Sequence, residues 1–449
     1  MKESATTPPS RNSRKQTSSV GHGAWKAPSS PVEPRSPGAH TPAPLWRRDS
    51  LKEPFPRRET APRSGAVSER SERKPAGDLS RAGAPDEVRS LVKNTRNVST
   101  PHAEGRRLRY ALREVVRDRS TQKRVQKCGR VRVAEHVTIR RGAHGAHYSG
   151  VMSCGSVWLC PVCASKIAAR RNREVTHVLT RHLGESGGGV AFLTLTVPHD
   201  KGDSLAHSFA TVNGGWRKIV AGRAWKALCQ ELGVVGFVRT SECTHGGNGW
   251  HPHMHVLVFT ARPLTDEQLD RLRCHAFGVW SAHVQRNGFR APLVERSPIE
   301  RVQHAAIGDY ATKFGAALEL THGMQKRGRN GSRTPFQILA DFANGGDCDD
   351  LKLWHEWEHG SKGRKQLTWS RGLKARLEVE DLTDEQIAAE DVGGEDVAVI
   401  DADTWALVVR LPHYPVRLLE AAEQPDGARC VAELLERLRR PPDTRERLR

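Results

Sequence analysis

Tyrosine is scarce in this chain: four occur among 449 residues, at Tyr110, Tyr148, Tyr310 and Tyr414, so any chemistry needing a phenol has few carriers. Long apolar runs are missing as well. No stretch approaches the roughly 20 residues that cross a bilayer, which excludes a membrane-spanning helix and any expected membrane partner. The opening Met-Lys-Glu-Ser-Ala-Thr-Thr-Pro-Pro lacks the apolar centre of a secretory signal, so a cytoplasmic location is expected. Acidic residues are in deficit, 51 against 71 Lys and Arg, for a formal charge of +20. Such a surface draws polyanions, of which nucleic acid is the usual one. An even cysteine complement is absent too. Three of the nine crowd into residues 154–163, a spacing that speaks for metal binding in a reducing compartment and against a disulfide scaffold.

The remaining composition divides the chain. Residues 1–105 are rich in Ser, Pro, Arg and Lys without helical or strand period, and are expected to be a disordered basic tail. Residues 106–185 read as a cysteine-bearing basic segment, opened by Leu108, Leu112, Val115 and Val116 at helical spacing and closed by a basic helix over 166–183. Residues 186–322 read as an α+β core. Within it strands are expected over 190–197, 234–243 and 253–260, one helical segment over 212–232, and another over 265–285 that starts on the capping-box pattern Thr265 to Gln268. Residues 323–449 read as a Trp-containing linker and a small accessory region, with a strand-like run over 405–411 and a helical end over 416–440.

The strand carrying Trp250-His251-Pro252-His253-Met254-His255 holds the first chemical signal. A period of two puts His253 and His255 on one face and Met254, Val256 and Val258 on the other, so two imidazoles converge. Glu242, near the end of the preceding strand, is brought beside them if the glycine-rich connection over 244–249 makes an antiparallel pair. Two imidazoles and a carboxylate suit Mg²⁺ or Mn²⁺ with open positions for a phosphate oxygen. His251 shares the face and is a further candidate for metal or DNA.

Asp309-Tyr310-Ala311-Thr312-Lys313 lies in an expected helix, where Tyr310 and Lys313 share a face. A phenol is a weak nucleophile at its ordinary pKa of about 10, and a neighbouring ammonium favours its ionised character during phosphoryl transfer. None of the other three tyrosines has a lysine three positions on, although Tyr110 and Tyr414 have Arg113 and Arg417 at that spacing.

Cys160-Pro161-Val162-Cys163 is shaped like a zinc knuckle and, with Cys154, needs one more ligand for a tetrahedral structural zinc. Cys128, in a turn-like Lys127-Cys128-Gly129-Arg130, is the first candidate, with His144 and His147 as alternatives. The basic helix after it offers Lys166, Arg170, Arg171 and Arg173 for phosphate contacts. Trp354, Trp357 and Trp369 are suited either to stacking unpaired bases or to packing a small core.

In order along the chain, Phe192-Leu193-Thr194-Leu195-Thr196, His251-Pro252-His253-Met254-His255 and Tyr310-Ala311-Thr312-Lys313 resemble the three motifs of plasmid rolling-circle replication initiators of the actinobacterial type, members of the HUH endonuclease superfamily. The resemblance covers the middle third of the chain. It implies a central antiparallel sheet carrying the histidines with the Tyr310 helix packed on it. His253 and His255 would bind the catalytic metal with Glu242 as third ligand, and Tyr310 would attack the scissile phosphate. A 5′ phosphotyrosine and a free 3′ hydroxyl primer result, with Lys313 stabilising charge or positioning DNA. The implied partners are plasmid origin DNA and a host helicase and DNA polymerase, in a bacterial cytoplasm; similar cysteines precede the first motif in actinobacterial relatives. One departure concerns termination: some relatives carry a glutamate four residues before the tyrosine, where this chain has Ala306, and Glu300 and Asp309 are substitutes of different spacing. An HUH-type transposase is the alternative enzyme, although Phe314 stands where many carry a second tyrosine. A non-enzymatic zinc-dependent DNA-binding regulator would account for charge and cysteines but not for the three motifs.

Overall fold

A computed structural model describes residues 101–314 and 331–440 of the chain. Most of the tail expected over 1–105 lies outside these residues, and 101–105 already belong to the first helix. The chain begins with α1 (Pro101–Arg119) and the short α2 (Lys123–Lys127), then the hairpin β1 (Val137–Gly142) and β2 (Gly145–Ser149). The basic helix α3 (Pro161–Thr180) runs into a π-helical turn at Arg181–Glu185. β3 (Gly189–Thr196) follows, with α4 (Leu205–Ile219) and α5 (Gly222–Leu232) leading to β4 (Val234–Gly246) and β5 (Gly249–Thr260). Then come α6 (Asp266–Arg286), the three-residue β6 (Ile299–Arg301) and α7 (Ile307–Phe314). Beyond residue 330 lie α8 (Pro335–Gly345), α9 (Cys348–Ser361), β7 (Leu367–Trp369), α10 (Leu373–Arg376) and α11 (Asp384–Ala389). β8 (Glu395–Ile400) and the helices α12 (Ala402–Val408), α13 (Tyr414–Ala422) and α14 (Gly427–Arg439) end the described chain.

The architecture is mixed α/β with two antiparallel sheets. The larger has the order β6-β3-β5-β4-β7, so the histidine strand β5 is central. β4 and β5 form a hairpin whose pairing runs to Gly246 opposite Gly249, closing on the two residues Gly247 and Asn248. Gly249 adopts φ of 89°, left-handed space that a side chain resists, which is why the tight turn ends on glycine.

Alternation along the strands decides the layers. Leu193, Leu195, Met254, Val256 and Val258 face α4, α5 and α6 in one dry core. Each such buried side chain stabilises the fold by about 1.5–3 kcal/mol. Thr265 caps α6 with the expected box, its hydroxyl accepting from Gln268 and the Gln268 side chain accepting from Thr265. Phe192, Val238, Leu257 and Phe259 face the opposite way and are covered by α3 and α7 through Val175, Val178, Leu179, Ile307 and Ala311. That second face is apolar at one end and carries the histidines at the other.

The C-terminal stretch is not detached from the rest. β7 adds an edge strand to the large sheet, pairing Trp369 with Val238 and Leu367 with Thr240. β8 pairs with β1 in the small sheet of order β2-β1-β8, and Val137, Ile139, Trp405 and Leu418 share its core. Trp354 and Trp357 are buried with Trp158, Phe209 and the four cysteines of the zinc-type pattern. The strand expected over 405–411 is a correction: Trp405 to Val408 belong to helix α12, because Asp401 caps it by accepting from the Thr404 N–H. The helical end over 416–440 is two helices, α13 and α14, meeting in one core with α12.

Candidate active site and metal centres

Strand register brings the first site together. Glu242 on β4 lies directly opposite His253 on β5, and Thr240 opposite His255. On the other side of β5, Thr194 faces His255 and Thr196 faces His253. The ligand atoms of Glu242, His253 and His255 lie within 4.8 Å of one another. Glu242 Oε2 is 3.2 Å from His253 Nε2 and 3.8 Å from His255 Nε2. Donors about 2.1 Å from one divalent ion stand about 3.0–3.4 Å apart, so both Glu242 separations are near those that a shared ion requires. Thr194 Oγ1 lies 3.0 Å from His255 Nδ1, which leaves Nε2 for the Glu242 side. Outer hydrogen bonds of this kind fix the ring and tautomer of a ligating histidine.

His251 is on the same face but is engaged differently. Its Nδ1 is 3.1 Å from His199 Nδ1, a contact in which one nitrogen must carry the proton. Burial, then the charges of His253 and His199, push His251 down to about 4, so it is neutral at physiological pH.

Phe192 connects the metal trio to the tyrosine. Its ring stacks on His255 at 5.2 Å between centroids and meets the Tyr310 ring at 5.1 Å. Tyr310 comes from α7, which packs against α3 across the sheet, and Asn172 of α3 fastens it by donating to the Ala311 carbonyl at 2.9 Å. The Tyr310 hydroxyl donates to Glu300 Oε1 at 3.1 Å. Burial first, then the Glu300 carboxylate, push the phenol up to about 12. Ala306 is in the 3₁₀ turn just before α7. Lys313 belongs to α7, and its side chain is outside the described residues.

The second centre is built from loop and helix ends. Cys128 follows α2, Cys154 follows β2, Cys160 is the N-cap of α3, and Cys163 sits in the first turn of α3. Cys128 Sγ is 3.7 Å from Cys160 Sγ and 3.6 Å from Cys163 Sγ, and Cys154 Sγ is 3.7 Å from Cys163 Sγ. A zinc tetrahedron with bonds of about 2.3 Å has sulfur edges of about 3.8 Å, so the four fit such an ion closely. Backbone N–H groups of Cys154 and Ser156 point at Cys128 and Cys154 sulfur, each at 3.4 Å. His147 is instead 3.5 Å from Asp391, and His144 is exposed, so Cys128 completes the quartet.

Of the four cations singled out on the basic helix, two are occupied. Arg170 pairs with Glu174, Glu380 and Glu390, and buried Arg171 pairs with Glu174 and Asp384. Lys166 is half-buried and Arg173 exposed. A cleft of about 750 Å³ was not legible in the sequence; it lies between the cysteine module, β7 and the segment before α11. Its acids are neutralised in ion pairs, Asp381 with Lys374, Asp384 with Arg171 and Glu385 with Arg124. Lys362, Lys365 and Arg371 line it and are exposed. The β7 ladder continues one residue, with Ser241 N–H donating to the Gln366 carbonyl at 2.8 Å.

Sequence reasoning left the role of Thr194 open and offered Glu300 only as one of two substitutes for a termination glutamate, without its contact to the Tyr310 hydroxyl. Pairing partners expose both, since β6 has only three residues and shows no period of its own.

The description "Replication protein" belongs to the family model that matches residues 149–265, a span holding Cys154, Cys160, Cys163 and the Glu242, His253 and His255 trio. The chain is 28% identical over 369 residues to Protein rep of Streptomyces lividans, covering 65% of this chain and 79% of that one. It is 27% identical over 236 residues to the neomycin resistance protein of Streptomyces cyanogenus, 43% of this chain and 53% of that one. A Protein rep from a Bacillus species is 36% identical over 107 residues, 23% of this chain and 32% of the relative. No solved structure matches the chain.

Proposed function

We propose, from the premise that this chain belongs to the replication-protein family and is a plasmid replication initiator, that it starts rolling-circle replication by nicking one origin strand through Tyr310. The observation that carries this reading is the placement of one sheet face. Glu242, His253 and His255 converge there, and the Tyr310 phenol stands on the same face across Phe192. In the reaction, Tyr310 Oη bonds to the scissile phosphorus while the bond from phosphorus to the 3′ oxygen breaks. The products are a 5′ phosphotyrosine and a 3′ hydroxyl for a host polymerase, with a host helicase opening the strand ahead. Mg²⁺ or Mn²⁺ at the trio, when bound, supplies a Lewis acid for a phosphate oxygen. Thr194 holds His255 in its ligating orientation, and Phe192 separates the phenol from the imidazoles. Lys313 shares the Tyr310 helix and is assigned to charge stabilisation.

The cysteine quartet is assigned to structural zinc, fixing α2 against the start of α3. The cleft between the cysteine module and β7 is assigned to a single strand near the nick, with Lys362, Lys365 and Arg371 meeting its phosphates; Lys166 and Arg173 offer additional contacts. The single tyrosine, with Phe314 four positions on where many such transposases carry a second one, supports an initiator over a transposase.

The test is incubation of the full chain with a supercoiled plasmid carrying its own gene and flanking DNA, with and without Mg²⁺ or Mn²⁺, beside Tyr310→Phe. Open circles bearing 5′-linked protein are expected only for the wild type with metal. DNA binding without nicking by both proteins would replace this reading with that of a non-enzymatic DNA-binding regulator.

A further inference from the structure

We infer that Glu300 is the general base that takes the proton of Tyr310 as the phenol attacks phosphorus. This inference rests on the proposed nicking reaction and names a catalytic group within it.

Glu300 comes from β6, the edge strand of the large sheet, where it pairs with Phe192. The pairing directs its carboxylate to the same face as Phe192, under the end of α7. There the Tyr310 hydroxyl already donates to Glu300 Oε1 at 3.1 Å, within the distance required for direct transfer. The neighbouring cation does not compete for this carboxylate. Arg301 turns to the other side of the strand, donating to the Leu264 carbonyl at 2.7 Å and pairing with Asp266. Asp309 precedes Tyr310 on the helix, and its charge raises the phenol further.

The chemistry needs such a group. A phenol held near 12 is ionised in about one molecule in 10⁵ at neutral pH, so waiting for phenolate would forfeit most of the rate. A carboxylate in contact lowers that barrier by accepting the proton as charge develops in the transition state. The step balances: the bond from Tyr310 Oη to phosphorus forms, its proton passes to Glu300, the bond from phosphorus to the 3′ oxygen breaks, and water protonates the released 3′ oxygen. In strand joining the same proton returns from Glu300 to the departing Tyr310 oxygen.

The experiment measures single-turnover nicking of an oligonucleotide spanning the mapped nick site, using the full chain with Mn²⁺. Glu300→Gln is expected to slow nicking by about 10²- to 10⁴-fold with unchanged oligonucleotide affinity. Glu300 is exposed at a sheet edge, so this change leaves the core intact. The second arm places 3,5-difluorotyrosine, a more acidic phenol, at position 310. It is expected to restore most of the rate lost in Glu300→Gln and to change the Glu300 protein little. Wild-type nicking by Glu300→Gln, or no restoration by the acidic phenol, overturns the inference. Continued nicking by Tyr310→Phe in the same assay overturns the proposed function instead.

Discussion

At the scale of single residues, the site depends on groups that hold other groups. Thr194 has no metal-binding role of its own in this geometry, yet its hydroxyl at 3.0 Å from His255 Nδ1 settles which imidazole nitrogen faces Glu242. Thr194→Val keeps the shape and the strand propensity but leaves His255 without that partner. Mn²⁺ affinity, followed by calorimetric titration, is expected to fall about 10- to 100-fold, with the melting temperature little changed. The convergence of His253, His255 and Glu242 was legible from a period of two and a tight glycine connection, since both are local in the chain. The contacts of Thr194 and Glu300 were not, because each depends on which distant strand lies alongside.

At the scale of elements, caps decided what propensity left ambiguous. The run from Trp405 onward has the branched and aromatic character of a strand, but Asp401 fixes a helix start. Its carboxylate accepts from the Thr404 N–H and hydroxyl and from Arg439 of α14. These bonds, led by the backbone one, hold Asp401 down to about 2. A depressed carboxylate contributes stability above its unfolded value, near 3.9, and loses it as pH falls through about 2. Asp401→Ala is expected to lower unfolding stability in urea by about 0.5–2 kcal/mol at pH 7, with a smaller difference from wild type below pH 3. The long helices and the three core strands were legible because their periods extend over many residues. β6 and β7, at three residues each, could be recognised only by their partners.

At the scale of the whole molecule, the excess of positive charge becomes directional only after folding. Many arginines are consumed in ion pairs, as Arg170 and Arg171 are on α3, whereas Lys362, Lys365 and Arg371 line the cleft whose acids are already paired. Replacing all three by alanine is expected to weaken binding of a single-stranded oligonucleotide. It should also flatten the slope of log affinity against log salt by about 2, near 0.7 for each lost phosphate contact, as read by fluorescence anisotropy at several salt concentrations. An unchanged slope would place the strand elsewhere. The sequence by itself determined the basic character, the α+β core, the histidine face and the cysteine pattern, because each follows from composition or from short-range spacing. Only the tertiary structure decided that Cys128 completes the quartet, that Glu300 receives the Tyr310 hydroxyl, and that β7 and β8 from the C-terminal stretch complete both sheets. Those contacts join residues far apart in the chain, and their partners are selected by strand register and core packing, which no local period encodes.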